Sequence, residues 1–179
     1  MDFSCVKMMK RYNLIAVLLI QAWLGYEFLI SGWNKIKVNA AFTSGLAGYL
    51  KMTAGSRANY YGRFINHDIL PHAAAFGYLI EWAEVLTGAI LILAALTIFI
   101  RKKENSPLQK TIGVLSVLSL AGILLMSLNF YWMTGALTLL PGGNAYIPGI
   151  SFDFFIVILS AVLIVWNIAL LRIKRDNKD

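Results

Sequence analysis

Four stretches of this chain, about residues 13–33, 76–100, 112–133 and 150–171, are strongly apolar, and each approaches or exceeds the roughly 20 residues that carry an α-helix across a bilayer. In hydrocarbon a backbone amide finds no water to bond, so an apolar run of this length satisfies its own polar groups as a helix. The expected fold is all-α: an integral membrane four-helix bundle. Of the 179 residues 59% are hydrophobic and 14% charged, well below the roughly one quarter of charged residues typical of soluble domains. The four runs occupy about half the chain, so residues 1–179 are read as one membrane domain.

The net charge of +7 would point to nucleic acid in a soluble protein, but here the cations cluster at the ends of the runs. Lys7, Lys10 and Arg11 precede the first span. Arg101, Lys102, Lys103 and Lys110 follow the second, and Arg172, Lys174, Arg175 and Lys178 follow the fourth. Those eleven cations fall on one side of a four-span chain, whereas Lys35, Lys37, Lys51, Arg57 and Arg63 are the five on the other. The positive-inside rule then places both chain ends in the cytoplasm, with the protein in the plasma (inner) membrane. No nucleic-acid partner is expected; the lipid bilayer is.

The first span has no small-residue cleavage site and runs on into ISGWNKI, so it is read as an anchor that is retained. Cys5 is the only cysteine, which excludes disulfides, CxxC redox chemistry and thiolate iron–sulfur ligation within one chain. His67 and His72 flank Pro71 without a ligand spacing, so no metal site is expected. Residues 34–75 are too many for a plain connector, and AAFTSGLAGYLKM has the composition of a short interfacial helix. A folded outer loop, or cap, over 34–75 is expected between the first and second spans. Pro71 suits the first turn of the second span. In the third span, Gly113, Ser116, Ser119 and Gly122 recur every third residue and are read as one small-residue stripe for close helix packing. Tyr12, Trp33, Tyr78, Trp82, Tyr131, Trp132 and Trp166 fall toward span ends, as interfacial aromatics do.

The stretch GYLIEWAEVLTGAILIL carries Glu81 and Glu84 within otherwise apolar sequence. A charged side chain inside a span costs about 2.5–3.5 kcal/mol on insertion scales and turns to the bundle interior or to a wet cavity. At about 1.5 Å per residue, Glu27 lies roughly 20 Å up the first span, and Glu81 and Glu84 roughly 8–12 Å down the second. Asn129 and Asp153 fall in the same outer third, so polar groups from all four spans share one depth. Glu81 is shallow enough to lie partly in the interface. Glu81 and Glu84, three residues apart, share a helix face, and like charges that close in a low dielectric favour keeping a proton on one of them. Such a carboxyl can give or take a proton, as quinone reduction requires. Trp82 and the Tyr60-Tyr61 pair could stack on a planar ring.

Three uses of the acids remain open at this level. They could pair with Lys35, Arg57 or Arg63 as an ion-pair lock, line a substrate or quinone pocket, or relay ions or protons. The last draws little support from four short spans without broken helices or repeats.

LGYEFLISGWNKI in the first span, YGRFINHDILPHAAAFGYLIEWAEVLTGAILILAALT around the second, NFYW closing the third and GISFDFF opening the fourth together resemble the DoxX family of four-helix membrane proteins. The likeness runs from the first span to the fourth and is nearest to the DoxD group, the membrane subunits of thiosulfate:quinone oxidoreductases. The matching elements are Gly32 and Lys35, Glu84 followed by Gly88, and Asn129. The resemblance implies electron transfer from thiosulfate or another reduced sulfur species to membrane quinone, with a second, mostly extramembrane subunit. It assigns no catalytic residue. On the reading from residues, Glu84, Glu27 and Glu81 would carry proton chemistry, and Lys35, Arg57, Arg63, Trp82, Asn129 and Asp153 would bind substrate or quinone. Quinone is then a bound substrate, with no covalent cofactor. The alternative is a non-catalytic membrane scaffold or assembly partner for another protein.

Overall fold

The computed structural model describes residues 3–38, 40–55, 59–100, 107–133 and 152–176, with side chains described from residue 13 to residue 171 in all but the stretches next to its gaps. The described residues form six α-helices: α1 (Phe3–Val38), α2 (Ala40–Leu50), α3 (Tyr60–Phe64), α4 (Ala73–Ile100), α5 (Pro107–Met133) and α6 (Phe152–Asp176). A π-helical turn, Lys51–Gly55, follows α2, and a π turn, Ile65–Ile69, and a 3₁₀ turn, Leu70–His72, join α3 to α4. Among the described residues there is no strand.

Four of these helical stretches are long and apolar enough to cross a membrane: Asn13–Lys37, Tyr60–Ile100, Pro107–Met133 and Phe152–Leu171. The chain is thus a helical membrane protein whose spans fall where the apolar runs place them. The proline of the 3₁₀ turn, Pro71, stands in the first turn leading into α4, where its missing amide leaves no intrahelical bond unmade. Threonine hydroxyls inside the spans bond back to their own helix: Thr87 Oγ1 donates to Ala83 O at 2.7 Å and Thr97 Oγ1 to Leu93 O at 2.7 Å. That satisfies them without water.

Two antiparallel pairs build the bundle, α1 with α4 and α5 with α6, joined through α4 and α5. The first pair is set by glycine. A Cβ on Gly25 would lie 2.9 Å from Gly88 O, and one on Gly32 would lie 2.7 Å from Glu81 O and 2.8 Å from Glu84 Cβ. Real Cβ atoms do not approach so closely, so Gly25, Gly32 and Gly88 let the two backbones touch. On α4 the buried residues Gly77, Glu81, Glu84, Gly88 and Leu91 recur at steps of four and three, one helix face. Leu79, Trp82, Leu86 and Leu93 stand exposed on the other. Exposed apolar side chains of that kind are what a helix presents to lipid.

The stripe expected on α5 is not continuous. Gly113 packs against Leu171, and Ser116 and Ser119 are buried, but Gly122 has nothing within 4 Å of its Cβ position. Nine residues at about 100° each turn the helix to its opposite side, so Gly113 and Gly122 cannot share a face. The buried line bends instead through Leu120, Ile123 and Ser127.

The bundle interior is layered. In one layer Gln21 Nε2 donates to Ser116 Oγ at 3.1 Å and to Leu91 O at 3.4 Å, while Asn167 Nδ2 donates to Gln21 Oε1 at 2.9 Å and to Leu163 O at 2.8 Å. One network therefore ties α1, α4, α5 and α6, with Gln21, Ser116 and Asn167 all buried. Next comes an apolar layer of Leu24, Leu91, Leu120, Ile123, Ile156 and Leu163. Beyond it, toward the end where α1 leads into α2, lies the acidic layer. A separate apolar cluster joins Leu46 and Leu50 of α2, Ile65 and Met133, with Phe76, Ile80 and Phe130 against it. Asn59 caps α3, its side chain accepting the Gly62 amide at 2.9 Å.

Candidate functional site: an acidic cavity among four helices

A cavity of about 210 Å³ opens in the acidic layer. Glu27, Phe28, Ser31 and Lys35 line it from α1 and Glu84 from α4. Met126, Ser127 and Phe130 enter from α5, and Phe152, Asp153 and Ile156 from α6. Helices α1 and α6 are not one of the closely packed pairs. The cavity occupies the room that their separation leaves.

Glu84 is the most enclosed charged group in the lining, at 3% exposure. Lys35 pairs with its Oε1, and the Lys35 side chain keeps 22% exposure. The ammonium of Lys35 also stands 5.2 Å from the centre of the Phe42 ring on α2, within cation–π range. Lys35 is therefore held from both sides. The second oxygen of Glu84, Oε2, is buried and has no hydrogen-bond partner among the described residues. A buried carboxylate oxygen left unbonded is costly, so it stands ready for a donor that enters the cavity. Ser127 is buried on the facing wall, Asp153 is half-buried, and Glu27 is exposed. The lining thus sets three carboxylates and one ammonium among the rings of Phe28, Phe130 and Phe152. That electrostatic balance favours hydrogen-bond donors over anions.

The remaining expected site residues lie elsewhere. Glu81 does not line the cavity: it is 1% exposed, enclosed where Gly32 brings α1 onto its backbone. Its Oε1 is buried without a partner among the described residues. Trp82 is 53% exposed on the outer face of α4, since one residue of helix turns it about 100° from Glu81. Asn129 shares the depth but not the cavity. It lines a second hollow, donates from Nδ2 to Leu125 O at 2.9 Å and accepts from the Tyr61 hydroxyl at 3.5 Å. Arg63 is exposed and lines neither hollow, and Arg57 falls outside the described residues, as does the neutral loop 134–149. Tyr60 is 86% exposed, while the Tyr61 ring meets Trp132 edge-on at 6.4 Å. Among the described residues no three His, Cys, Asp or Glu side chains gather as a metal site.

Sequence reasoning passed over Ser31, Ser127 and the three phenylalanines, whose types are ordinary in a span. It also passed over Gln21 and Asn167. A usable signal existed for those two, since each is a lone amide well inside an apolar run.

Fold and cavity together define the class: an all-helical membrane protein with four antiparallel spans and an acidic cavity near one end of the bundle. No family model, no curated protein and no solved structure matches the chain.

Proposed function

We propose that this chain is a DoxX-like membrane subunit of a quinone-linked oxidoreductase, and that the acidic cavity receives the head of a membrane quinone. The observation that carries the reading is Glu84, buried in the cavity wall with Oε2 unbonded and Oε1 held by Lys35. Reduction of a quinone to a quinol takes up two electrons and two protons, and the protons must arrive at the two ring oxygens. Asp153 and Glu27, lining the cavity from α6 and α1, are the groups that deliver them, and the free oxygen of the ion-paired Glu84 accepts from a hydroxyl of the quinol so formed. The phenylalanine rings give the quinone ring its apolar bed.

Electrons come from thiosulfate or another reduced sulfur species. A cavity with three carboxylates repels a thiosulfate dianion, so its oxidation belongs to a second subunit outside the membrane, which passes electrons inward. The segment from α2 to the 3₁₀ turn forms a folded outer cap on the side facing that partner. Both chain ends lie in the cytoplasm and the membrane is the plasma membrane, in accord with eleven cations against five.

The test is direct. Full-length protein in lipid nanodiscs, isolated with whatever partner accompanies it, is assayed for bound quinone and for thiosulfate-dependent quinone reduction. Wild type is expected to retain quinone and Glu84→Gln to lose it together with the reduction activity, while Asp153→Asn, which removes a proton-transfer group, is expected to slow reduction by about 100-fold or more. Quinone content unaffected by Glu84→Gln would refute the assignment. The Lys35–Glu84 pair also fits a purely structural lock in a scaffold protein. On that second reading a partner copurifies, and neither quinone nor reduction is found.

A further inference from the structure

The second hollow, of about 300 Å³, lies between α2, α3 and the turn after it on one side and α4 and α5 on the other. Its walls differ in kind from those of the acidic cavity. Leu46, Leu50, Ile65, Ile80 and Met133 are among its apolar lining, and the polar side chains in that lining are Tyr61 and Asn129, which bond to one another. No charged side chain lines it. The two hollows share two wall residues, Met126 and Phe130 of α5. These are four residues apart, one turn, and so stand on one face as a single partition.

We propose that the second hollow binds the apolar chain of the same amphiphile whose head occupies the acidic cavity, with Met126 and Phe130 as the threshold between head and chain. The proposal rests on the quinone reading for the identity of the head, and adds a chain-selecting site. A flexible methionine and a phenylalanine are side chains that can swing aside for a chain and close behind it. A hollow of this size, apolar with a paired hydroxyl and amide at one wall, matches the lower end of ordinary ligand sites, about 300 Å³. Its two polar side chains bond to each other and Asn129 also to its own helix, so a hydrocarbon chain is the chemistry the otherwise apolar lining takes. The exposed lining residues Phe64 and Asn129 mark where a long chain passes out toward lipid.

Two probes with one head separate the parts: a dimethoxy-methyl-benzoquinone without a chain, and the same ring carrying a ten-carbon chain. Binding of each to the full-length protein in nanodiscs is compared between wild type and Ile65→Trp, which fills the second hollow. Partition into lipid is common to both proteins and cancels. Ile65→Trp is expected to weaken the decyl probe by about tenfold or more, the low end of what overfilling a packed site costs, and to leave the chainless probe unchanged. Equal affinity of wild type and Ile65→Trp for the decyl probe overturns the proposal, while a chainless probe that binds and is lost in Glu84→Gln leaves the quinone reading standing. If neither quinone binds wild type, that reading falls. The chain site is then tested in wild type with a diazirine-bearing alkyl chain on an alcohol head. Adducts on Ile65, Ile80 or Met133 sustain it, and adducts confined to lipid-facing Leu79 and Leu86 overturn it.

Discussion

Glu84 shows how much depends on one partner. Breaking a buried ion pair from one side strands the other charge, at a cost of about 3–5 kcal/mol when both groups are fully enclosed. Lys35 keeps 22% exposure, so water recovers part of this, and Lys35→Met is expected to destabilise by about 2–3 kcal/mol. Adding Glu84→Gln removes the stranded charge, so the double variant should be more stable than Lys35→Met alone. Thermal unfolding in detergent checks the order, and a double variant less stable than Lys35→Met would mean that Glu84 is not the group Lys35 serves. A rise of 1.5 Å per residue gives the depth of a side chain but not the direction in which it points. Depth alone placed Glu27, Glu84 and Asp153 at one level, and all three line one cavity. The same arithmetic grouped Glu81 and Asn129 with them, and these face other neighbours because direction is settled by which helices pack together. Gln21 and Asn167 carry no charge and drew no notice, yet they hold the network that spans all four long helices.

Apolar run length alone marked the four spans, because hydrocarbon leaves the backbone one choice there. Pairing was harder to read, since glycine serves both turns and close contacts. The α1–α4 contact depends on Gly25 and Gly88, where an added Cβ on Gly25 meets both Gly88 O and Leu91 Cβ at 2.9 Å. Gly88→Leu is expected to force α1 from α4, costing about 1–3 kcal/mol or more, the range for overpacking. Gly122→Ala, at a position open to its surroundings, is expected to be neutral or to stabilise by up to about 1 kcal/mol through the gain in helix propensity. Melting temperatures of the two variants in the same detergent decide it. Comparable losses at both sites would show that Gly122 packs against something and that the close contact of α1 with α4 is not special. The three-residue repeat on α5 seemed a stripe only because its drift of about 60° per step had not been summed over its length.

At the scale of the molecule, orientation follows from cations that mostly sit beyond the spans, a property of charge distribution that packing does not reveal. If all four long helices cross, both chain ends share one side and the connection from α2 to α4 lies on the other. His67 in that connection is exposed, and Cys5 is the only native thiol, near the start of α1. A membrane-impermeant maleimide applied to intact spheroplasts should therefore leave wild type unlabelled and label His67→Cys in a Cys5→Ser background. Cys5 should react only after the membrane is opened. The reverse pattern would invert the molecule and put the acidic cavity near the cytoplasmic face, where an extracytoplasmic sulfur oxidase could not reach it. Labelling of both sites from outside would mean that the number of crossings between them is even, contrary to four spans. The same asymmetry predicts what charge removal does: replacing Arg101, Lys102 and Lys103 by Gln narrows eleven against five to eight against five, so a fraction of inverted molecules should appear in the labelling. Removing Lys51 and Arg63 from the opposite side should instead leave the orientation unmixed, because it widens the difference that sets it.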